Sequence, residues 1–242
     1  MKTVCIIPCR YNSTRFPGKP LADIGGKPMM WHVYQKASTV GLLDEVYIAT
    51  DDERIESVCH DYNMNCLRTR DVHETGTDRL TECAEKVVAD IYVNVQGDEP
   101  MIDPCAIEAV TRTMQDCQDH RVMATNAFVP IEVPSDAVNT NAVKVLMTTE
   151  GMAMAYSRMA IPYPRGAEAF YRRQLGLYAF RRSGLQLFSE LHPGPVELCE
   201  NVEMLRLVEH GHSILMVQVD HCSIPVDTES DLDRVRQLFK TA

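Results

Sequence analysis

The chain has 242 residues, of which 45% are hydrophobic, and a formal net charge of −10. A chain of this length and composition can bury a full core, either as one large α/β domain or as one domain with a sizeable subdomain. The acidic balance argues against general nucleic-acid binding, and there is no apolar run of about 18 residues that would predict a membrane span.

Apolar runs alternate with helical periodicities through the first half of the chain. The predicted strands lie at 3–8, 45–50, 65–69, 91–95, 122–128, 174–180 and 213–219. The predicted helices lie at 27–39, 52–61 and 75–90, from 104 onward, as a pair within 182–210, and at the end of the chain. Their expected starts are Pro28, a cap at Asp51, Thr77, a cap at Asp103, and a capping box of Thr228 with Asp231. Such alternation predicts a mostly parallel central sheet with helices on both sides.

The first apolar stretch, in "MKTVCIIPCR", is too short for a signal peptide. Nine cysteines occur without any CxxC pair, which is typical of reduced thiols in a cytosolic protein and not of a disulfide framework. Between 129 and 180 the strand–helix rhythm breaks, yet no linker is long enough to separate domains. We therefore expect a cytoplasmic protein with a single domain over residues 1–242.

Residues 10–20, "RYNSTRFPGKP", are the strongest local signal. Arg10, Arg15 and Lys19 lie within ten positions of one another, with no acidic residue among them, directly behind the first predicted strand. Open α/β folds bind ligands at the carboxyl edge of the sheet, and Arg and Lys side chains match phosphate oxygens. The loop therefore predicts a polyphosphate site, although it lacks the glycine spacing of a P-loop. The alternative is a solvated loop that makes surface ion pairs.

Three further motifs could carry chemistry. Asp98, in "VNVQGDEP", follows the strand 91–95 and could hold Mg²⁺ shared with substrate phosphates or merely bond backbone amides in a turn. Asp227 precedes the last helix, and its spacing alone favours a charge that stabilises the helix N-terminus. The turn 75–77 could read a base edge, with Arg79 following on the helix.

The sequence resembles the CMP-Kdo synthetases, the 3-deoxy-manno-octulosonate cytidylyltransferases. The resemblance rests on these stretches, in order from residue 3 to about 239: "IIPCRYNSTRFPGKPLADIGGKPMMWHVYQKA", "VYIATDDERI", "HETGTDRL", "VNVQGDEP", "NAVKV", "YSRMAIPYPR", "LGLYAF" and "IPVDTESDL". It implies an α/β fold like that of the nucleotide-diphospho-sugar transferases, use of CTP and Mg²⁺, a homodimer, and a place in lipopolysaccharide or capsule biosynthesis. It also implies that residues 1–128 form a CTP-binding half and 129–242 a half for acceptor binding and dimerisation.

The resemblance also implies roles for individual residues. The catalytic residues would be Arg10, Arg15, Lys19 and Asp98. The CTP-binding residues would be Arg10, Ser13, Arg15, Lys19, Thr75, Gly76, Thr77 and Arg79. The acceptor-binding residues would be Gln96, Arg158, Arg165, Gln174, Tyr178 and Glu203, and the metal ligands Asp98 and Asp227. Two positions depart from the family pattern, because Gln174 stands where the family has His and Met204 where it has Gln.

The expected function is transfer of CMP from CTP to a sugar acid of the Kdo type, with release of pyrophosphate. The alternatives are the same chemistry on another 2-keto sugar acid or a small phosphonate, a glycosyltransferase that consumes a nucleotide sugar, or a non-catalytic nucleotide-binding module. Release of pyrophosphate from CTP separates the first two from the glycosyltransferase, and CTP binding without turnover on any acceptor would indicate the module.

Overall fold

A nine-stranded sheet takes strands from both halves of the chain and carries the candidate site at one edge. The structure is a computed structural model, and it describes residues 1–13, 15–73, 75–166, 170–220 and 223–241. The strands are β1 (Thr3–Pro8), β2 (Asp23–Ile24), β3 (Lys27–Pro28), β4 (Glu45–Thr50), β5 (Cys66–Arg68), β6 (Ile91–Val95), β7 (Val122–Ile131), β8 (Lys144–Met147), β9 (Ala153–Ser157), β10 (Tyr171–Arg181) and β11 (Ser213–Gln218). The helices are α1 (Met29–Ser38), α2 (Glu53–Asp61), α3 (Gly76–Lys86), α4 (Pro104–Asp116), α5 (Arg182–Glu190), α6 (Pro195–Glu200), α7 (Leu205–Glu209) and α8 (Glu229–Thr241).

The main path of the sheet has the strand order β11-β7-β10-β6-β1-β4-β5. Strand β1 is parallel to β4 and β6, β4 is parallel to β5, and β11 is parallel to β7. Only β10 interrupts this path, because it runs antiparallel between β6 and β7. The predicted mostly parallel sheet with flanking helices is confirmed. The parallel neighbours β1 and β6 place the 10–20 loop and the Asp98 turn side by side, since both follow the carboxyl ends of their strands.

Both faces of the sheet are covered by apolar residues. On one face, side chains of α1, α2 and α4 pack on the sheet around Ile7, Val93 and Leu177. On the other, α3, α5 and α7 pack around Ile6, Tyr92 and Phe180. Strands covered on both sides are expected for parallel sheets.

A smaller cluster brings the end of the chain back to its beginning. Val226 at the approach to α8, together with Leu232 and Val235 on the helix, packs against Ile24 and Met29. This contact carries Asp227 to the loop that follows β1, although more than 200 residues separate them in sequence.

Several predicted helix starts were wrong. Asp52, not Asp51, caps α2 by accepting a hydrogen bond from the Arg54 amide at 2.9 Å. Helix α3 begins after Thr75 and not at Thr77, because Thr75 and Asp78 form a reciprocal capping box. Lys27–Pro28 forms a short ribbon with β2, and helix α1 starts only at Met29.

Longer errors fall in the second half of the chain. The predicted helix pair within 182–210 is three short helices. The hairpin of β8 and β9 was not predicted, because its sequence mixes turn residues with apolar ones. The capping box of Thr228 and Asp231 before α8 is confirmed, with the Thr228 amide donating to the Asp231 carboxylate at 2.9 Å.

Two observations concern disulfides and membranes. The eight cysteines within the described residues are all free thiols. Among the described helices, none is long and apolar enough to cross a membrane.

Candidate active site

A cleft of about 380 Å³ opens at the carboxyl edge of β1 and β6. Six of the predicted site residues line it, namely Arg10, Ser13, Lys19, Gly76, Gln96 and Asp98. They come from the loop after β1, the start of α3 and the turn after β6. The cleft therefore brings together the cationic loop and the acidic turn that the sequence singled out.

Lys19 is the hub of the charged groups in this cleft. Its ammonium donates to Asp98 Oδ2 at 2.6 Å and to Asp227 Oδ1 at 3.2 Å. Burial tends to lower the pKa of Lys19, but the two carboxylates outweigh it and hold the pKa above its ordinary value. Arg15 extends the row, with its Nη2 atom 3.1 Å from Asp227 Oδ1. Two cations and two carboxylates thus alternate in one row, in the order Arg15, Asp227, Lys19 and Asp98.

Gly97 lets the two strand ends approach each other. A Cβ atom at this position would lie 2.7 Å from the Pro8 carbonyl oxygen and 2.6 Å from Cys9 Sγ. The Pro8 oxygen is a backbone atom at the end of β1, and the Cys9 side chain is buried directly after it, so neither atom can easily move away. A glycine is therefore required for the Asp98 turn to lie against the loop that carries Arg10.

The turn 75–77 is held to the cationic loop and to the second half of the chain. Arg10 Nη2 donates to the Thr75 carbonyl at 3.0 Å, and the Thr77 amide donates to Glu203 Oε2 at 3.2 Å. Burial raises the pKa of Glu203, although its hydrogen bond from Thr77 opposes the shift. The side chain of Thr77 is fully buried, so Gly76 is the member of the turn that lines the cleft.

Arg79 lies beneath the cleft and not on its wall. Its side chain is completely buried, with Nη1 3.3 Å from Asp51 Oδ1 and in hydrogen-bond contact with the Thr69 hydroxyl. This pairing explains why Asp51 does not cap α2. The structure gives Arg79 the position of a support that ties the end of β4 and the segment after β5 to α3.

Comparison with known proteins decides the family. The sequence profile of the cytidylyltransferases matches residues 4–214. This chain belongs to the cytidylyltransferase family. The predicted CTP-dependent nucleotidyltransferase is thereby confirmed.

Individual relatives agree with this family. The chain is 43% identical to a 3-deoxy-manno-octulosonate cytidylyltransferase of Geotalea uraniireducens (strain Rf4), over 99% of this chain and 100% of that one. It is 44% identical to the Escherichia coli protein of the same name, over 98% and 96% of the two chains. A solved structure of CMP:2-keto-3-deoxy-manno-octonic acid synthetase complexed with CTP has a TM-score of 0.95 and 42% identity, and the match covers 100% of this chain and 99% of that one. The resemblance to the CMP-Kdo synthetases and the fold that it implies are confirmed.

A divalent cation fits the acidic pair of this cytidylyltransferase. One oxygen each of Asp98 and Asp227 already converges on the ammonium of Lys19, so a cation occupies the space between two carboxylates. Mg²⁺ prefers such oxygen ligands and is usually held by one or two carboxylates together with substrate phosphates. Within the described residues there is no group of three or more His, Cys, Asp or Glu that could hold a metal.

On the acceptor side, the buried polar groups are already paired. Gln174 Nε2 donates to the Tyr178 hydroxyl and to the Leu175 carbonyl, both at 2.6 Å. Burial raises the pKa of Tyr178 well above its ordinary value. Gln96 lies close to this strand, since a Cβ on Gly176 would meet Gln96 Cγ at 2.8 Å. Gln96 is thus the predicted acceptor residue that connects this strand with the cleft.

The two predicted arginines of the acceptor side lie away from the cleft. Arg158 donates to the backbone carbonyls of Glu200 at 2.7 Å, Thr140 at 3.1 Å and Asn201 at 3.1 Å. It therefore ties β9 to the loop after α6. Arg165 is exposed and is not among the residues that line the cleft. Met204, one of the two departures from the family pattern, is fully buried in the core.

Sequence reasoning missed Glu82, which anchors the segment before α3. This carboxylate accepts hydrogen bonds from the Arg70 amide at 3.0 Å, from His73 Nε2 at 2.5 Å and from Lys86 Nζ at 2.7 Å. Burial would raise its pKa, but these donors lower it from 4.5 to about 2. The only signal in the sequence was the i,i+4 pair of Glu82 and Lys86.

Glu99 was also missed, although it follows Asp98 directly. Burial raises the pKa of Glu99 to about 8, the neighbouring Asp98 charge adds to the shift, and Arg173 opposes it. Glu99 faces Ser223 and Arg173, on the side of the turn away from the cleft described above. No feature of the sequence distinguished it from an exposed turn residue.

Proposed function

We propose that this cytidylyltransferase transfers CMP from CTP to 3-deoxy-manno-octulosonate and releases pyrophosphate. The observation that carries the proposal is the ammonium of Lys19 held between Asp98 and Asp227 in the cleft at the edge of the sheet. Such an arrangement suits a substrate that brings several phosphate oxygens and a divalent cation. The names of the relatives at 43% and 44% identity supply the acceptor and the nucleotide.

The reaction is an in-line displacement at the α-phosphorus of CTP. A hydroxyl oxygen of the acceptor forms a bond to that phosphorus, and the bond from phosphorus to the oxygen bridging the β-phosphorus breaks. Pyrophosphate leaves with the electron pair, and the proton of the attacking hydroxyl leaves the acceptor. Catalysis then rests on positioning and on neutralising charge, which Arg10, Arg15 and Lys19 provide at the phosphates.

Asp98 and Asp227 would hold Mg²⁺, which when bound stabilises negative charge on phosphate oxygens. Lys19 has a second role, because it compensates the two carboxylates when no metal is present. Gly97 and the hydrogen bond from Arg10 to the Thr75 carbonyl fix three segments relative to one another. They are the cationic loop, the turn that carries Asp98, and the turn 75–77, which we call the base-side turn. The residues of this chain thus bind, orient and neutralise.

For the acceptor, Gln96, Gln174, Tyr178 and Glu203 supply the polar groups. Departure from the family pattern at Gln174 leaves an amide where an imidazole is usual, and a site that recognises hydroxyls is sensitive to such a change. Another 2-keto sugar acid is therefore the second candidate acceptor. The Gln174–Tyr178 hydrogen bond at 2.6 Å favours this second candidate, because the bond occupies a group that an acceptor hydroxyl would otherwise contact.

The test is pyrophosphate release from CTP over a panel of 2-keto sugar acids and small phosphonates, with UTP as the control nucleotide. We expect release with CTP and 3-deoxy-manno-octulosonate, one pyrophosphate for each CMP-sugar formed, and much less with UTP. Nucleoside diphosphate as the product would indicate a glycosyltransferase instead. CTP binding without pyrophosphate on every acceptor would leave only a binding module.

We also propose a homodimer that uses the second half of the chain. Five large apolar side chains between residues 150 and 200 are exposed by half or more: Met154, Met159, Tyr163, Phe170 and Leu198. Light scattering should give twice the chain mass, and Tyr163→Glu should shift it toward the monomer. We place the enzyme in the cytoplasm, where CTP is available, and its product in lipopolysaccharide or capsule synthesis.

A further inference from the structure

A second cleft, of about 610 Å³, lies on the far side of Asp227 from the first. It is lined by Arg15, Asn139, Asn141, Arg173, Asp227 and Arg234, among other residues. Arg173 and Arg234 have no part in the function proposed above. They nevertheless sit beside groups that do.

The side chain of Asp227 contacts one cation from each cleft. Asp227 Oδ1 is contacted by Lys19 Nζ at 3.2 Å from the first cleft and by Arg15 Nη2 at 3.1 Å from the second. The Val226 amide donates to the Asp98 carbonyl at 2.9 Å, so the segment that lines the second cleft is fastened to the acidic turn of the first. Lys19 of the first cleft and Arg15 of the second therefore contact the same carboxylate oxygen.

The second cleft collects guanidinium groups from three distant parts of the chain: the loop after β1, strand β10 and helix α8. Within the described residues, the side chains of Arg173 and Arg234 donate no hydrogen bond to a protein group, although the carboxyl group of Glu99 lies close enough to Arg173 to interact with its charge. The carboxylates that share the cleft are more fully used. Asp231 accepts from the Asp227 and Thr228 amides and from the Thr228 hydroxyl, and Asp227 pairs with Lys19 and Arg15, which leaves Asp136.

Guanidinium groups with free N–H donors fit an anion that carries several oxygens on more than one central atom. The reaction releases one such anion. We propose that the second cleft binds the pyrophosphate that leaves CTP, with Arg15 shared between the clefts and Arg173 and Arg234 as its further ligands. This inference rests on the proposed function for the origin of the pyrophosphate.

The carboxylate of the acceptor is the rival occupant, and the strand geometry disfavours it. Successive residues of a strand point to opposite faces, so Arg173 and Gln174 of β10 face different sides of the sheet. Arg173 lines the second cleft, whereas Gln174 bonds Tyr178 in the core on the other side. Gln174 and Tyr178, two of the groups assigned to the acceptor, thus lie on the other face of the sheet from Arg173.

The test uses Arg173→Ala and Arg234→Ala in both directions of the reaction. In the reverse direction, with CMP-sugar and pyrophosphate as substrates, we expect the KM for pyrophosphate to rise about tenfold in Arg173→Ala, because a charge-assisted contact is lost. Product inhibition by pyrophosphate in the forward direction should weaken by a similar factor. The KM values for CTP and for the acceptor should stay within about twofold of the wild type.

Arg172→Ala is the matched control. Arg172 precedes Arg173 on strand β10 but is not among the residues that line the second cleft. Its guanidinium carbon lies 4.5 Å from the centroid of the Phe170 ring. This variant should leave every constant for pyrophosphate unchanged. Arg234 is exposed on α8, so Arg234→Ala should fold even if Arg173→Ala does not.

Unchanged pyrophosphate constants in both cleft variants would overturn the proposal. A rise in the acceptor KM alone would overturn it too, and would assign the cleft to the acceptor. Calorimetric titration of pyrophosphate into the wild type and Arg234→Ala tests the cleft without turnover. If no acceptor supports pyrophosphate release, the proposed function fails, while weaker pyrophosphate binding by Arg234→Ala would still support the cleft.

Discussion

The nucleotide side and the acceptor side of this molecule differ in what their polar groups are bound to before any substrate arrives. On the nucleotide side, Lys19 and Arg15 contact Asp98 and Asp227, which are themselves predicted to contact phosphate or metal. On the acceptor side, Gln174 and Tyr178 bond each other in the core. Charged groups that hold one another in a cleft can exchange partners for a ligand. Buried groups already satisfied by the protein contribute to stability as well as to binding.

The largest expected effect comes from Asp98→Asn. We expect kcat to fall by about 10³-fold, since an oxygen ligand and a charge at the phosphates are lost, while the melting temperature changes little because Asp98 is a cleft residue. Pyrophosphate release and thermal unfolding measure the two quantities. Near-normal turnover would contradict the claim that Asp98 and Asp227 contact phosphate or metal, because the acidic pair would then be only structural.

Glu82→Gln tests the support beneath the base-side turn. The pKa of Glu82 falls from 4.5 in the unfolded chain to about 2 in the folded one, so its contribution to stability is present above pH 4.5 and is lost as the pH falls toward 2. Near neutral pH the variant should be less stable by on the order of 2 kcal/mol. The difference should shrink in chemical unfolding below pH 4, and a constant difference across this range would contradict the assignment.

Arg15→Ala separates the two sides kinetically. The side chain of Arg15 is 62% exposed, so we expect unchanged stability. The KM for CTP should rise about tenfold, as for one charge-assisted contact. The acceptor KM is measured alongside as the internal control. A rise in the acceptor KM alone would contradict the assignment of this loop to CTP and would indicate that it binds the acceptor.

Tyr178→Phe should give the smallest effect and a different pattern. Loss of the hydroxyl leaves the Gln174 amide with the Leu175 carbonyl as its partner, and we expect a loss of about 1 kcal/mol in the free energy of unfolding. The acceptor KM should rise while the CTP KM stays unchanged. Tyr163→Phe, at an exposed tyrosine, is the control. Unaltered stability and acceptor KM in Tyr178→Phe would contradict the claim that buried groups on the acceptor side contribute to stability as well as to binding.

The sequence predicted most strands and the nucleotide side of the site because these depend on local signals. A run such as "TVCIIP" is apolar enough to indicate a strand buried on both faces, and its loop carries three cations without an acidic residue. Asp98 likewise follows a buried run, at 91–95, but the pairing of that strand with β1 appears only in the structure. The start of α2 was misplaced because the carboxylate of Asp51 has a distant partner in Arg79.

The remaining features depend on contacts between segments far apart in the chain. The position of Asp227 beside Lys19 requires α8 to pack on Ile24 and Met29, which no local pattern reveals. The contacts of Arg158 are of the same kind, because its guanidinium donates to the backbone carbonyls of Glu200 and Asn201, more than 40 residues away in the chain. The position of the Arg79 side chain is a further example. The sequence alone does not show whether this turn of α3 is exposed or buried.

The measurement that tests the account most directly is CTP binding by Lys19→Ala, determined by calorimetry in the absence of acceptor. Lys27→Ala is the control, because that ammonium lies 4.9 Å from the centroid of the Tyr62 ring, away from the cleft. We predict that Lys19→Ala weakens CTP binding at least about tenfold and that Lys27→Ala leaves it unchanged. Equal affinities in the wild type and both variants would contradict the claim that this cleft holds the phosphates of CTP.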